Sequence, residues 1–593
     1  MKSSTQPVHR PMFTRLREHE GMALLVVMLA LLILSLTGIA MSRIASTELE
    51  LTGHYRAANQ AFFAADGGAE YGLNELLDLG RTLARHPTAA ELAGIAVPPL
   101  PDTNFTTFAV NAAGAAVTQP LTSGFFQGLV ASSRPYIVTT TAETVSVPRG
   151  SSTVEMMASF DIIPIFQFAI FYEFDLEVTP GPDMDIDGRV HSNADIYIDI
   201  DQTMNIRSQV TAAGDIWNYR HDGSTYGGTE RIRDGAGNMV SMNGLDSNDA
   251  DWETNALDRW DGNIRSVDHG IERLNVTIAD PTDPHMLIRG PEVGDGADEQ
   301  DAKLYYAADL RIINGDGYDS NGNAVSLIDP VSGTSVIEQT IIFDQREQKH
   351  QLATEVDMAK LNNLPGWPAN GLLYVGGFEP GGPLPNWTNP PWQQGGGFTP
   401  PWANGGTESD FAVKLKNGSE LAAPLTVVSE NPVYIRGDYN TINKKGAAVM
   451  GDVITILSNR WGDMDNNGTV ESSDLDYSTW SYNNRHAASA GTTINAAVMV
   501  GNIASGGGNY SGGVHNAMRF MERWTNDWFH YRGSIIDLWR PVVHTSGTIV
   551  GNPVYAPPNR DISFDTDFLD PANLPPFTPN VYTIRVLGWD RSQ

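Results

Sequence analysis

The chain has 593 residues, enough for several domains and a large buried core, and its 70 acidic against 38 basic side chains leave a formal charge of −32. That balance argues against nucleic acid and anionic lipid surfaces as partners, although much of the surplus is simply a solvated acidic surface. Cysteine is absent, which excludes disulfides, thiolate chemistry and Cys-ligated zinc, while 58 Gly and 35 Pro favour a β-rich, turn-rich architecture.

The first element is the run Met22–Met41 (MALLVVMLALLILSLTGIAM). It holds no charged residue, and at about 1.5 Å per residue it matches one hydrocarbon core of roughly 30 Å. A polar leader with Lys2, Arg10, Arg15 and Arg17 precedes it, ending in Glu18, His19, Glu20 and Gly21. A secretory signal would have a shorter apolar region and a small-residue cleavage site beyond it. Here the small residue precedes a full-length span, and a plausible helix continues through Ser42–Leu83. An ordinary signal-anchor helix is the alternative.

Gly21–Met41 followed by Ser46–Leu77 resembles the PilX N-terminal family of type IV pilus assembly proteins. The resemblance rests on Thr47, Glu48 and Leu49, then Tyr55–Arg56, Gln60–Ala61–Phe62 and Ala64–Ala65–Asp66. It covers about the first eighty residues. It implies cleavage between Gly21 and Met22 by a prepilin peptidase, storage in the inner membrane with the N-terminus cytoplasmic, and later assembly into a pilus with other minor pilins. Shaft pilins of this kind carry a Glu at the fifth mature position to neutralise a neighbour's N-terminal amine, whereas this chain has Val26. An unpaired buried ammonium is costly, so the resemblance implies a place at the fibre end instead of the repeating shaft.

Residues 44–84 read as an amphipathic helix, with Phe62, Ala65, Ala69, Leu73 and Leu76 on one face and Gly67–Gly68 as an expected bend. Pro87, Pro98, Pro99 and Pro101 mark the exit from it. Period-two patterning at Phe105–Val110, Tyr136–Glu143 and Thr153–Asp161 predicts antiparallel strands, and Phe166–Phe174 a buried strand. The expected division is a leader 1–21, a helix 22–85 with 22–41 transmembrane, a pilin-like antiparallel region 102–178 and a large β domain 179–593.

Within that domain Arg189–Ile198 (RVHSNADIYI) and Gln209–Asn218 (QVTAAGDIWN) align at a twenty-residue offset, Val190 on Val210, Asp195 on Asp215, Ile196 on Ile216 and Tyr197 on Trp217. Recurring short strands with a turn at fixed phase point to a β-solenoid, with a β-sandwich as the competitor because the later spacing is irregular. Residues 220–302 read as a long ordered insert, and 376–408 as a Pro/Gly tract carrying Trp387, Trp392 and Trp402. The fold class expected is therefore α+β, mainly β.

The sharpest chemical signal is Asp463, Asp465, Asn467, Gly468, Thr469, Glu471 and Asp474, which follows calcium-loop spacing at positions one, three, five, six, seven, nine and twelve. The terminal Asp makes the loop resemble a dockerin loop more than an EF-hand. Two weaker candidates are Asp183, Asp185 and Asp187, whose twelfth position is Ala194, and Asp316, Asp319 and Asn321, which lack a terminal acid. Turn chemistry accounts for both equally well. The 13 His residues are dispersed, His191 reads as a hydrogen-bonded structural residue, and no nucleophile elbow, phosphate loop or metalloprotease helix occurs. No enzyme is expected.

Three functions fit this reading. One is a pilus tip or priming subunit displaying a calcium-stabilised β domain outside the cell. A second is an adhesin recognising a glycan or surface protein, anchored by the helix. A third is a type II secretion pseudopilin, against which the large β domain counts.

Overall fold

The computed structural model describes residues 16–592 except 182, 277–282, 348, 378–410, 463–485, 507–509 and 549–553. One helix, Leu16–Leu83, runs for 68 residues, about 100 Å at the ordinary rise. It is unbroken at Gly67–Gly68. Gly68, Gly72 and Gly80 serve packing. A Cβ on Gly68 would lie 2.6 Å from Phe105, one on Gly72 2.7 Å from Val138, and one on Gly80 2.3 Å from Phe160. With Ala57, Ala61, Ala65 and Ala69, all buried, they form a stripe of small residues that lets the helix lie close against a sheet.

That sheet is antiparallel and its strands run in the order Thr103–Ala112, Val130–Thr144, Ser151–Pro164, Asn580–Ser592 and Asn275–Val276, with Val117–Pro120 also on the second. Buried and less buried positions alternate along Val130–Thr144, which places Tyr136, Val138, Thr140 and Ala142 toward the helix. All three strands expected from the period-two patterning are present. The C-terminal strand is an unexpected member: Ile584 faces Phe160 and Trp589 faces Met156 across the ladder. The division at residue 178 had assigned it to the large domain. Residues 165–579 are thus an insertion between two neighbouring strands of the stalk sheet.

The inserted domain is built of short strands paired in parallel. Ile170–Tyr172, Leu176–Val178 and Met184–Ile186 form one turn. The next two turns repeat it, with Val190 against Val210, Ile196 against Ile216 and Met204 against Met184. The later turns use Leu372–Gly376, Leu425–Val428, Ala447–Met450, Ala497–Gly501 and Ile535–Trp539 on the same face. Ile535 pairs with Ile170, so the last of these turns abuts the first. The chain therefore enters at mid-stack, winds outward to Ile264–Arg265, crosses to the far end, and winds back from Leu310–Ile313.

The resulting 12-stranded sheet is covered on both sides, which explains its nearly continuous apolar strands. One side faces the interior of the turns, where Val190, Val210, Val427, Val449 and Val498 stack. The other packs Phe171, Val428, Met450, Met499 and Ile536 against Phe166, Phe168, Leu287 and Ile288. The expected insert 220–302 is partly helical. Its helix Trp252–Trp260 buries both tryptophans against the interior core, and the Trp260 indole donates to Val240 O at 3.2 Å. The Trp387, Trp392 and Trp402 tract lies outside the described residues.

Candidate assembly helix and ion-binding loops

Gly21 and Met22 lie inside the helix, and every residue from Gly21 to Leu51 is exposed. Among the described residues one helix is long and apolar enough to cross a membrane, with a mean hydropathy of 2.8 in its most apolar stretch. Within the span the Thr37 hydroxyl donates back to Ile33 O at 2.9 Å, so that side chain needs no partner outside the helix. Val26 is 61% exposed and carries no charge to the helix surface.

Residues that carry the family resemblance meet the stalk sheet, two of them at its C-terminal strand. The Ala65 carbonyl accepts from Thr140 Oγ1 at 2.6 Å. Asp66 Oδ1 accepts from the Trp589 indole at 3.0 Å. Phe62 meets the Trp589 ring edge to face at 5.8 Å, and the Arg591 guanidinium lies 4.3 Å from the Phe62 centroid. Sequence reasoning missed Trp589 and Arg591, because no local pattern ties residues more than five hundred positions apart. On the helix's other side Leu49, Tyr55 and Phe63 stay exposed, at 79%, 66% and 68%. They leave an apolar surface below the membrane-length run.

The weaker metal candidates are engaged with the protein itself. Asp183 Oδ1 accepts from the Thr203 amide at 2.9 Å, Asp185 from Asn205 Nδ2 at 2.7 Å, and Asp187 is paired with Arg207 at 3.3 Å. Because Met184 and Ile186 point inward on a strand, the Asp side chains stand in a row and do not converge. Arg207, one turn along, neutralises Asp185 and Asp187 together. Asp319 closes a turn on itself, accepting from the Asn321 and Asn323 amides and from Asn323 Nδ2 at 2.8–2.9 Å. These bonds, the Asn323 side chain first, hold its carboxyl below the usual range. Asp316 sits at the start of the strand Asp316–Asp319, opposite Ile313. Among the described residues no group of three or more His, Asp or Glu is set to hold a metal ion.

The residues Asp463, Asp465, Asn467, Thr469, Glu471 and Asp474 lie outside the described residues. Their flanks are placed: Trp461 is buried beside the strand Ile454–Leu457, and His486 bridges to Arg523. His191 is fully buried, with Nδ1 2.8 Å from Thr211 Oγ1 and Nε2 3.0 Å from Asn193 Oδ1. Burial pushes it down to about 4, so it is neutral at neutral pH.

The protein family described as PilX N-terminal matches residues 20–70. No curated relative matches the chain. Among solved structures, the competence-associated pilin ComZ from Thermus thermophilus aligns over 90% of this chain and 97% of its own. The identity is 11% and the TM-score 0.24, a level of likeness on which nothing is built. By the match over its helix, and by a long apolar N-terminal helix laid on an antiparallel sheet, the chain is type IV pilin-like in its N-terminal part, which is similar to the PilX N-terminal region.

Proposed function

We propose that the protein is a minor pilin-like subunit that occupies the tip of a type IV pilus or primes its assembly. Before assembly it is held in the inner membrane by Met22–Met41. The observation that carries the reading is the insertion of residues 165–579 between two adjacent strands of the stalk sheet. A domain of that bulk, attached beside a single helix, suits the end of a thin fibre better than its repeating wall. Val26, in place of a carboxylate that would pair with a neighbour's amine, agrees with this. A prepilin peptidase cutting between Gly21 and Met22 supplies the mature N-terminus, and other minor pilins and the shaft are the partners of the exposed helix. The role is structural and not enzymatic. Immunogold labelling tests it: label at fibre ends is expected, and label confined to the envelope would overturn it. Mass spectrometry of the mature N-terminus tests the processing step.

Calcium in the loop Asp463–Asp474 belongs to the same proposal. The spacing supplies oxygen ligands at each required position, and a terminal Asp fits modest affinity suited to extracellular calcium. Wild-type protein is expected to melt higher in calcium than in chelator. The double variant Asp463→Ala, Asp465→Ala should lose that rise.

A further inference from the structure

Successive turns of a solenoid are held together by the ladders they share and by the packing of the lumen. The first and second turns ladder on all three faces, Ile170 with Val190, Leu176 with Ile196 and Met184 with Met204. The junction between the first turn and the last is different. Its first face is continuous: Ile170–Tyr172 pairs with residues 535–537, and the Glu173 amide donates to Asp537 O at 2.8 Å. On the second face Leu176–Val178 ends one sheet and Met518–Phe520 ends another. Side chains bridge that face, with Thr179 Oγ1 3.2 Å from the Tyr510 hydroxyl and Ser511 Oγ donating to Glu177 at 3.4 Å. On the third face Met184–Ile186 and Asn559–Phe564 lie against each other as edges of two separate sheets. Among the described residues no ladder joins them.

The two edges touch at one end, where a Cβ on Gly188 would come within 2.8 Å of Phe564. A groove of about 850 Å³ lies along the seam, lined by Asp185, Asp187 and Arg207 on one side and by Trp528, His530 and Asp561 on the other. From the strand Asn559–Phe564, Arg560 turns its guanidinium to 5.4 Å from the centroid of the buried Phe520, where it bonds the Tyr555 side chain. Its Nε and Nη2 are buried with no partner among the described residues. An incompletely bonded guanidinium weakens the closed seam, because opening returns it to water. The two windings also join the stalk separately. Pro164 leads into Ile170–Tyr172, while Asn559–Phe564 leads back to Asn580.

We propose that the large domain is two half-solenoids, residues 165–265 and 310–564, joined by a hinge at this seam. The hinge is the ladder of Ile170–Tyr172 with residues 535–537, and the second and third faces open about it. Opening there separates side chains and breaks no described ladder. Parting the second turn from the third would break three, Val190 from Val210, Ile196 from Ile216 and Met204 from Glu230. Openings of lowest free energy fall where the fewest backbone bonds are lost, so the seam opens before either winding frays in its middle. It uncovers Ile186 and Ile562, which pack into the lumen core from the two edges. The device belongs to the domain itself and does not depend on where the protein sits on a fibre.

Because the chain has no cysteine, each engineered thiol is unique. Ile186 and Ile206 are ladder partners on consecutive turns, 3% and 1% exposed, but only Ile186 lies at the seam. Labelling by N-ethylmaleimide on the full chain in detergent, without denaturant, compares Ile186→Cys with Ile206→Cys. The first is expected to react about tenfold faster or more, at matched melting temperatures. A second measurement uses surface positions and leaves the core intact. Nitroxide labels on Asn205→Cys with Asp561→Cys span the seam, and on Asn205→Cys with Arg231→Cys they stay within one winding. Pulsed electron paramagnetic resonance should find two distances for the first pair and one for the second. Equal labelling rates, or a single distance across the seam as narrow as the control's, would overturn the hinge.

Discussion

At the scale of single residues, the glycines of the stalk helix divide into two kinds that composition cannot separate. Gly67 has open space where its Cβ would be, whereas Gly72 would press a Cβ to 2.7 Å from Val138. Gly67→Ala should therefore stabilise the protein by about 0.5–1 kcal/mol, through helix propensity alone. Gly72→Val should destabilise it by about 1–3 kcal/mol through overpacking. Thermal melts of the two variants should move in opposite directions, and a shared direction would show that the helix does not lie against the sheet at this distance. The apolar period Ala65, Ala69, Leu73, Leu76 was legible because it repeats locally. The purpose of Gly68 and Gly72 was not, because it is decided by Phe105 and Val138, residues on other elements. The spacing of Asp463–Asp474, outside the described residues, was plain in the sequence, and Asp183, Asp185 and Asp187 share its opening. What the sequence did not show for those three is the strand, which sets alternate side chains in a line, and Arg207, which neutralises two of them.

At the scale of elements, the C-terminal strand Asn580–Ser592 completes the stalk sheet and carries a buried ion pair. Arg585 Nε lies 2.6 Å from Asp161 Oδ2, and Asp161 is wholly buried. Arg585→Ala would strand that carboxylate, at a cost of about 3–5 kcal/mol. Denaturant melts should show this loss, with a smaller one in Arg585→Lys, which keeps the charge. Burial also holds His191 and His544 down to about 4 and His515 to about 3. In the unfolded chain each returns to the ordinary value near 6.5. Between those values the unfolded state binds more protons, so stability is full above about pH 6.5 and falls as pH drops toward 4. Melting temperature measured across that range should decline with acidification, and His191→Gln should flatten the decline. The twenty-residue offset that pairs Val190 with Val210 and Tyr197 with Trp217 was legible, since both copies are close in sequence and lack inserts. The pairing of Ile170 with Ile535 was not, because two stretches so far apart share no spacing to read.

At the scale of the whole molecule, both connections between stalk and large domain leave from one corner. Pro164 and Asn580 are partners across the same ladder, so the insertion begins and ends side by side. Tension on the large domain would reach the helix covalently through Ser151–Pro164. The strand Asn580–Ser592, whose far end is pinned to the helix by the Trp589 indole on Asp66, is loaded lengthwise beside it. Its ladder then fails only by shear, all pairs at once, and not by unzipping one pair at a time. Under a pull along the stalk axis the strand Asn580–Ser592 would thereby act as a tensile clasp.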